Sequence, residues 1–331
     1  MKGIQPGFAP SKNEVAPSHV RAPRLVAVGG GKGGVGKTFV TANVTVALAR
    51  MGYRVVAVDA DLDGANLHTC LGVASPEISL ADFVASRTNE PEKMLVTTGE
   101  PNLQLIAGTQ SNLKQAQPSQ ARRVELLRGL RGLEADFIFI DLGAGSQPAV
   151  LDYFLVADDG LLVMRPEPTS VENAYSFLRA SFYRRLRLLA RGHGVRELID
   201  QAMDQRNERG IRTPFDLMRE IESLDPVEGQ RFNASMRSFR PRIIINEART
   251  AADIKLGFAV VSVCEKHFGF SADYLGYVNY QDEVRESVLA RQSLFDYKKD
   301  ADAAIYLERI ARKLAESSPD DGTSPRDEAR T

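Results

Sequence analysis

The sequence of 331 residues contains no tryptophan and only two cysteines, Cys70 and Cys264. These cysteines stand far apart and form no Cys-x-x-Cys pair, which argues against an iron–sulfur cluster, a structural zinc site or a disulfide framework. Each is therefore predicted to be an ordinary thiol in a reducing compartment. No run of about 18 apolar residues occurs, so no membrane-spanning helix is predicted.

The sequence also has no excess of charge of one sign, because it contains 42 Lys and Arg residues and 43 Asp and Glu residues. A formal net charge of −1 gives no global positive field that would steer nucleic acid, so any such binding needs a local patch. The N-terminus carries no apolar signal-peptide core. Together these features predict a cytoplasmic protein.

The most informative segment is a glycine-rich loop between a predicted strand and a predicted helix. Residues 30–38 read Gly-Gly-Lys-Gly-Gly-Val-Gly-Lys-Thr, after the apolar run Leu25–Val28 and before a helical pattern. This context is typical of a phosphate-binding loop, in which glycines let backbone N–H groups surround a phosphate. Lys37 is predicted to reach the β- and γ-phosphates and Thr38 to ligate magnesium. The predicted nucleotide contacts are Gly33, Gly34, Val35, Gly36, Lys37, Thr38 and Phe39.

Carboxylates end two other predicted strands. Asp59 and Asp61 follow the β-branched run at 54–58, and Asp141 closes the apolar run at 137–140. Ligands of open α/β sheets bind at the carboxyl ends of strands. The pattern at Asp141 is that of a Walker B strand, whose aspartate holds magnesium through a water. The cluster after 58 is open to two explanations, a magnesium or water site and a helix N-cap followed by a turn.

The phosphate-binding loop has a second lysine, Lys32, which a generic loop of this kind does not need. The run Lys-Gly-Gly-Val-Gly-Lys-Thr at 32–38 resembles the deviant Walker A motif of the MinD/ParA superfamily of dimeric SIMIBI-class ATPases. The segment Pro166–Ser170 is most similar to the FlhG-like branch of that superfamily. The resemblance implies ATP and Mg²⁺ as cofactors and a homodimer formed with ATP. It also implies that Lys32 reaches the partner's nucleotide in trans, as an arginine finger does.

The same resemblance assigns further roles. It implies that Asp61 positions the attacking water, that Asp59 supports the magnesium shell with Thr38 and Asp141, and that Asn246 recognises adenine. Two positions depart from the family pattern. Asp63 stands where relatives usually have glycine, and Asn279 stands where they usually have proline.

The order of predicted elements favours one α/β domain over residues 24–316, with a doubly wound, mostly parallel sheet and helices on both faces. Residues 1–23 and 317–331 are polar and proline-containing, and we expect a disordered arm and tail. The tail cannot form the basic amphipathic membrane-targeting helix that ends MinD. An arginine-rich helical insertion is expected around 179–240. Its arginines from Arg184 to Arg219 form either a salt-bridged surface or a basic face for DNA, acidic lipid or protein.

The leading hypothesis is an ATPase that dimerises around two ATP–magnesium units and positions a large structure, such as a flagellum, a motility or division assembly, or DNA. One alternative is a nucleotide-dependent scaffold with little turnover. The other is a metal-cluster carrier of the related Mrp type, which would need the paired cysteines that this sequence does not have. The effector protein and the cellular cargo cannot be read from the residues.

Overall fold

A computed structural model describes residues 22–62, 64–74, 77–108, 118–203, 210–211 and 213–317. Almost all of the predicted arm and tail, and Asp63, lie outside the described residues. The strands are β1 Arg24–Gly29, β2 Val55–Asp59, β3 Val96–Thr97, β4 Leu103–Ile106, β5 Phe137–Asp141, β6 Asp159–Met164, β7 Arg242–Ala248 and β8 Asp273–Asn279. The α-helices are α1 Lys37–Arg50, α2 Leu67–Cys70, α3 Leu80–Val84, α4 Gln120–Leu130, α5 Pro148–Val156, α6 Pro168–Leu189, α7 His193–Met203, α8 Pro214–Leu224, α9 Pro226–Ser238, α10 Ala251–Val263, α11 Asp282–Leu289, α12 Leu294–Tyr297 and α13 Asp302–Glu316.

The eight strands form one sheet in the order β3-β4-β2-β5-β1-β6-β7-β8. Every pairing is parallel except that of β3, a two-residue edge strand that runs antiparallel to β4. The predicted fold class is therefore confirmed. The central strand β1 lies between β5 and β6, so the loop that follows it opens at the middle of the carboxyl edge.

Alternating side chains of the strands enter two separate hydrophobic cores. Leu25 and Ala27 of β1 pack on one face with helices α4 to α10. Val26 and Val28 pack on the other face with α1, α12 and α13. Because both faces are covered, the strands read as continuous apolar runs, as expected for a buried parallel sheet. Helices on both faces are the defining feature of a doubly wound fold.

The predicted insertion is helical, and helices α7, α8 and α9 stand between α6 and β7. Its buried positions, among them Leu198, Ile221 and Phe232, join the core on the α6 side of the sheet. Glu228 of α9 is buried and accepts hydrogen bonds from the backbone N–H groups of Arg191 and Gly192, which precede α7. The insertion is therefore packed as part of the domain.

Of the two explanations for the arginines from Arg184 to Arg219, the contacts of the described residues favour a salt-bridged surface. The guanidinium group of Arg184 binds Asp152 with Nε 2.9 Å from Oδ1, and Arg185 points inward to two serines. Arg187 pairs with Asp200 at 3.5 Å. The arginines that remain exposed, Arg187, Arg191, Arg196 and Arg219, are interleaved with exposed acidic residues. Arg206, Arg209 and Arg212 lie outside the described residues.

A buried ion cluster ties the amino ends of three strands to the end of α13. Asp159 of β6 binds Arg24 of β1 and, at 2.9 Å, Arg242 of β7. Arg24 also donates to the carbonyl oxygen atoms of Leu314 at 2.7 Å and Ser317 at 2.6 Å, which caps the C-terminus of α13. One carboxylate thus pairs with two guanidinium groups with little access to water.

We expect Asp159→Asn to lower the free energy of unfolding by about 3–5 kcal/mol, because two buried guanidinium groups would lose their only shared carboxylate. Urea denaturation followed by circular dichroism measures this. The matched control is Asp200→Asn, which breaks the exposed pair with Arg187 and should cost under about 1 kcal/mol. Equal small losses in both variants would contradict a stabilising role for the cluster.

Candidate functional site

The phosphate-binding loop leaves the carboxyl end of β1 and turns into α1 at Lys37. Gly34 and Gly36 adopt left-handed backbone angles, with φ of 77° and 92°, which residues with side chains rarely adopt. A side chain at Gly31 would approach the carbonyl oxygen of Asn173 in α6 to 2.0 Å. The loop is thus a tight backbone cradle held against α6. Its N–H groups at the start of α1 suit an anion.

Asp141 at the end of β5 contacts the start of α1. Sequence analysis assigned its carboxylate to magnesium. The hydroxyl group of Thr38 donates to Oδ2 of Asp141 at 2.6 Å, and that of Thr41 donates to Oδ1 at 3.1 Å. Sequence analysis did not single out Thr41. The signal it offered is the spacing of three residues after Thr38, which places both hydroxyl groups on the same side of α1.

Asp59 and Asp141 lie directly opposite each other in the pairing of β2 with β5. Both side chains are almost fully buried. Burial raises the pKa of Asp141 to about 6. Burial, and secondly the charge of Asp141, raises the pKa of Asp59 to about 8. Two carboxylates held this close without water are costly when both are ionised, and a divalent cation would remove that cost.

The loop after β2 is folded around its first carboxylate. Asp59 accepts hydrogen bonds from the N–H groups of Asp61 at 3.2 Å and Leu67 at 3.0 Å, so it also orders the start of α2. These contacts support the explanation in terms of a helix start and a turn, and the magnesium or water site stays a prediction. Asp61 is partly exposed and faces the loop after β5, since a side chain at Gly143 would approach its Oδ1 to 3.3 Å. The structure thus brings the two loops that follow β2 and β5 together.

The two loop lysines have opposite environments. Lys37 is buried, and its charge lowers the pKa of Asp141, although burial outweighs this effect. Lys32 is exposed, and within the described part of the chain no hydrogen bond or ion pair holds its side chain. Lys37 therefore serves the site of its own chain. The ammonium group of Lys32 is free to contact something outside it.

Two asparagines lie at the carboxyl ends of β7 and β8. The amide group of Asn246 donates to the carbonyl oxygen of Val35 at 2.9 Å, so it supports the phosphate-binding loop directly. Asn279 pairs in register with Ala248, and its buried Oδ1 has no partner among the described residues. Arg249 stacks over the ring of Tyr280 at 3.5 Å. The role of Asn246 at adenine stays a prediction, and the orphaned oxygen of Asn279 marks the same edge as a place for a polar ligand.

The donor set fits a magnesium nucleotide. Within the residues that the structure describes, no group of three His, Cys, Asp or Glu residues is placed to hold a metal by itself. Asp59 and Asp141 with the hydroxyl of Thr38 supply hard oxygen ligands, and Mg²⁺ typically completes such a set with phosphate oxygens and water. Cys70 and Cys264 belong to the two different cores, on opposite faces of the sheet, so they cannot share a metal cluster.

No helix of the described part of the chain is long and apolar enough to cross a membrane. The charged groups of the site lie at the carboxyl edge of the sheet. There the loop N–H groups, Lys37 and Lys32 can bind phosphate, and Asp61 with the loop after β5 can order a water.

Comparisons with known proteins place this site in context. Residues 26–294 match the model of the family described as the CobQ/CobB/MinD/ParA nucleotide binding domain. The antiactivator FleN of Pseudomonas aeruginosa is 26% identical over 293 residues, which is 88% of this chain and 86% of FleN. A putative septum site-determining protein MinD of Oltmannsiellopsis viridis is 34% identical over 153 residues, 46% of this chain and 48% of that protein.

Solved structures agree on the fold. The septum site-determining protein MinD complexed with Mg-ADP from Pyrococcus horikoshii superposes with a TM-score of 0.60 at 23% identity, over 89% of this chain and 96% of that one. MinD in the MinC:MinD complex of Aquifex aeolicus superposes with a TM-score of 0.57 at 20% identity, over 89% of this chain and 96% of that one. Since the family model spans well over half of the chain, the chain belongs to the CobQ/CobB/MinD/ParA nucleotide binding domain family.

Proposed function

We propose that this protein is an ATPase that binds ATP and Mg²⁺, forms a homodimer around two nucleotides, and separates after hydrolysis. The observation that carries the proposal is the pair of lysines in one glycine loop, Lys37 buried beside Asp141 and Lys32 exposed and unpaired within the described residues. Lys32 lies at the mouth of the loop and has no acidic partner among the described residues of its own chain. Its ammonium group is therefore suited to contact a phosphate that a second chain binds.

Each residue then has a distinct task. The loop N–H groups and Lys37 bind and orient the phosphates, and Asn246 keeps the loop in shape through Val35. When bound, Mg²⁺ would be held by Thr38, Asp141 and Asp59 and would supply charge stabilisation for phosphoryl transfer. Asp61 would accept a hydrogen bond from the attacking water and orient it. Lys32 would place positive charge on the partner's transferring phosphate.

The cellular task proposed here is spatial regulation. The FleN relative is named as an antiactivator, and the MinD relatives are named for septum site determination. Both names support a protein that acts through partners and location, with its nucleotide state as the switch. The named MinC:MinD complex supports protein partners for this fold. DNA or an acidic surface is a weaker candidate partner, because the exposed arginines of the described part, Arg187, Arg191, Arg196 and Arg219, are interleaved with acidic residues.

A nucleotide-dependent scaffold with little turnover is the remaining alternative. Such a scaffold would use the same phosphate-binding loop and the same dimer as the ATPase, but Asp61 would have no catalytic role in it. Phosphate release with and without cell extract distinguishes an ATPase that needs an activating partner from a scaffold. The Mrp-type carrier is disfavoured because its two candidate cysteines lie on opposite faces of the sheet.

Lys32→Ala should bind ATP but fail to dimerise or hydrolyse it, whereas Lys37→Ala should lose nucleotide binding, since only Lys37 faces the site of its own chain. Sedimentation velocity with ATP or ADP, together with a binding isotherm, measures both effects. Lys93→Ala, which removes an exposed lysine paired with Glu90, is the matched control and should behave as wild type. A Lys32→Ala protein that dimerises and turns over normally would remove the in-trans role.

Asp61→Ala should bind ATP, form the dimer and stall there, with turnover lower by about a hundredfold. The reason is that Asp61 is partly exposed and binds neither Thr38 nor the phosphate-binding loop within the described residues. Gel filtration with ATP and Mg²⁺ and a phosphate-release assay test this, with Glu308→Ala on α13 as a surface control. Monomeric elution, or near-normal phosphate release, would show that another carboxylate orients the water.

Asp141→Asn should stabilise the nucleotide-free protein in EDTA, which removes divalent metal, and more so at pH 8 than at pH 5. The raised pKa of Asp141 means that the wild type loses stability as the pH rises from the unfolded value of 3.8 through about 6. The variant avoids that loss, so the difference at pH 8 should reach about 2 kcal/mol.

Thermal unfolding at the two pH values measures the effect. The control is Asp136→Asn, because Asp136 is exposed and immediately precedes the first residue of β5. This variant should show no such pH dependence. An Asp141→Asn protein that is less stable than wild type at pH 8 would contradict the cost assigned to the buried carboxylates.

A further inference from the structure

The amino edge of the sheet, opposite the nucleotide site, contains a second cavity of about 460 Å³. It lies between the end of α5, the start of β6, the second half of α6, the end of α9 and the start of β7. Four arginines line it: Arg185, Arg237, Arg240 and Arg242. We propose that this cavity binds a small organic phosphate, with the phosphate on the arginines and the organic part on the apolar wall.

Arg185 gives the strongest reason. Its guanidinium group is partly buried and donates to the hydroxyl groups of Ser235 and Ser238, at 2.8 Å and 2.9 Å, and to the carbonyl oxygen of Ser235 at 3.0 Å. No carboxylate of the described residues pairs with it. Burial lowers the pKa of Arg185 to about 10. Buried charges in proteins are normally paired, and the ring of Phe239, 5.5 Å away, offers only a partial substitute.

The other charges around the cavity leave a positive excess. Arg242 shares Asp159 with Arg24, and Arg240 pairs with Asp273 at 2.8 Å. The third lining carboxylate, Asp158, pairs with Arg131 at 3.3 Å. The carboxylates are therefore already matched by other cations. Arg185 and Arg237 remain without an acidic partner in the part of the chain that the structure describes.

The shape and chemistry of the cavity select the ligand class. Guanidinium groups bind phosphate through paired, charge-assisted hydrogen bonds, and the hydroxyl group of Ser271, which also lines the cavity, can add to them. Leu155, Ala157 and Phe239 form an apolar wall. A volume of this size is typical of sites for small organic molecules and exceeds the need of a single inorganic phosphate. An organic phosphate would contact the arginines with its phosphate group and the apolar wall with its organic part.

Isothermal titration with benzyl phosphate, inorganic phosphate and benzyl alcohol tests the proposal on the full chain, saturated with ADP and Mg²⁺ so that the phosphate-binding loop is blocked. Benzyl phosphate should bind at least about tenfold more tightly than inorganic phosphate, and benzyl alcohol should not bind. Absence of binding by both phosphates would overturn the proposal. Equal binding of the two phosphates would overturn the role of the apolar wall.

Two variants and a control locate the binding. Arg237→Gln, on the exposed rim, and Arg185→Lys, which keeps the charge but loses the fork, should each weaken benzyl phosphate binding by at least about tenfold. Arg312→Gln, an exposed arginine of α13 paired with Glu308, should change nothing. Unchanged affinity in Arg237→Gln and Arg185→Lys would mean that the ligand binds elsewhere. Since ADP occupies the other site throughout, this result is independent of whether the protein hydrolyses ATP.

Discussion

The placement of two buried carboxylates side by side is the constraint on which the rest of the site depends. Asp59 and Asp141 face each other across neighbouring parallel strands with almost no access to water. Hydrogen bonds from Thr38, Thr41 and the backbone after β2 hold them in place, yet both pKa values stay above the ordinary range. The ligand-free protein therefore carries a cost that a bound divalent cation would relieve, and such binding would couple the stability of the site to its ligand.

That coupling can reach the rest of the domain through backbone contacts. The phosphate-binding loop touches α6 at Asn173 so closely that Gly31 has no room for a side chain. The same 22-residue helix carries Arg185 to the cavity at the opposite edge of the sheet. One helix thus runs from the phosphate-binding loop to the cavity at the opposite edge, and it also begins the helical insertion that packs against the core.

Periodicity and motif context predicted the sheet, the phosphate-binding loop and the positions of Asp59, Asp141 and Asn246, because parallel strands bring their carboxyl ends to one edge. Three features escaped. The edge strand Val96–Thr97 is too short to show a period, and Thr41 carries no motif of its own. Charge pattern alone also could not tell which arginines turn inward. Arg184 and Arg185 face Asp152 and two serines, and these partners are distant in sequence.

The in-trans role of Lys32 is the central claim, and mixing two inactive variants tests it most directly. In a dimer of one Lys32→Ala chain and one Asp61→Ala chain, the nucleotide bound by the Lys32→Ala chain has an intact Asp61 in its own chain. The Asp61→Ala partner supplies an intact Lys32 to the same nucleotide. If Lys32 acts in trans, ATP hydrolysis in an equimolar mixture should rise well above the sum of the separate variants. Hydrolysis no greater than that sum, with mixed dimers verified by differential tagging, would contradict it.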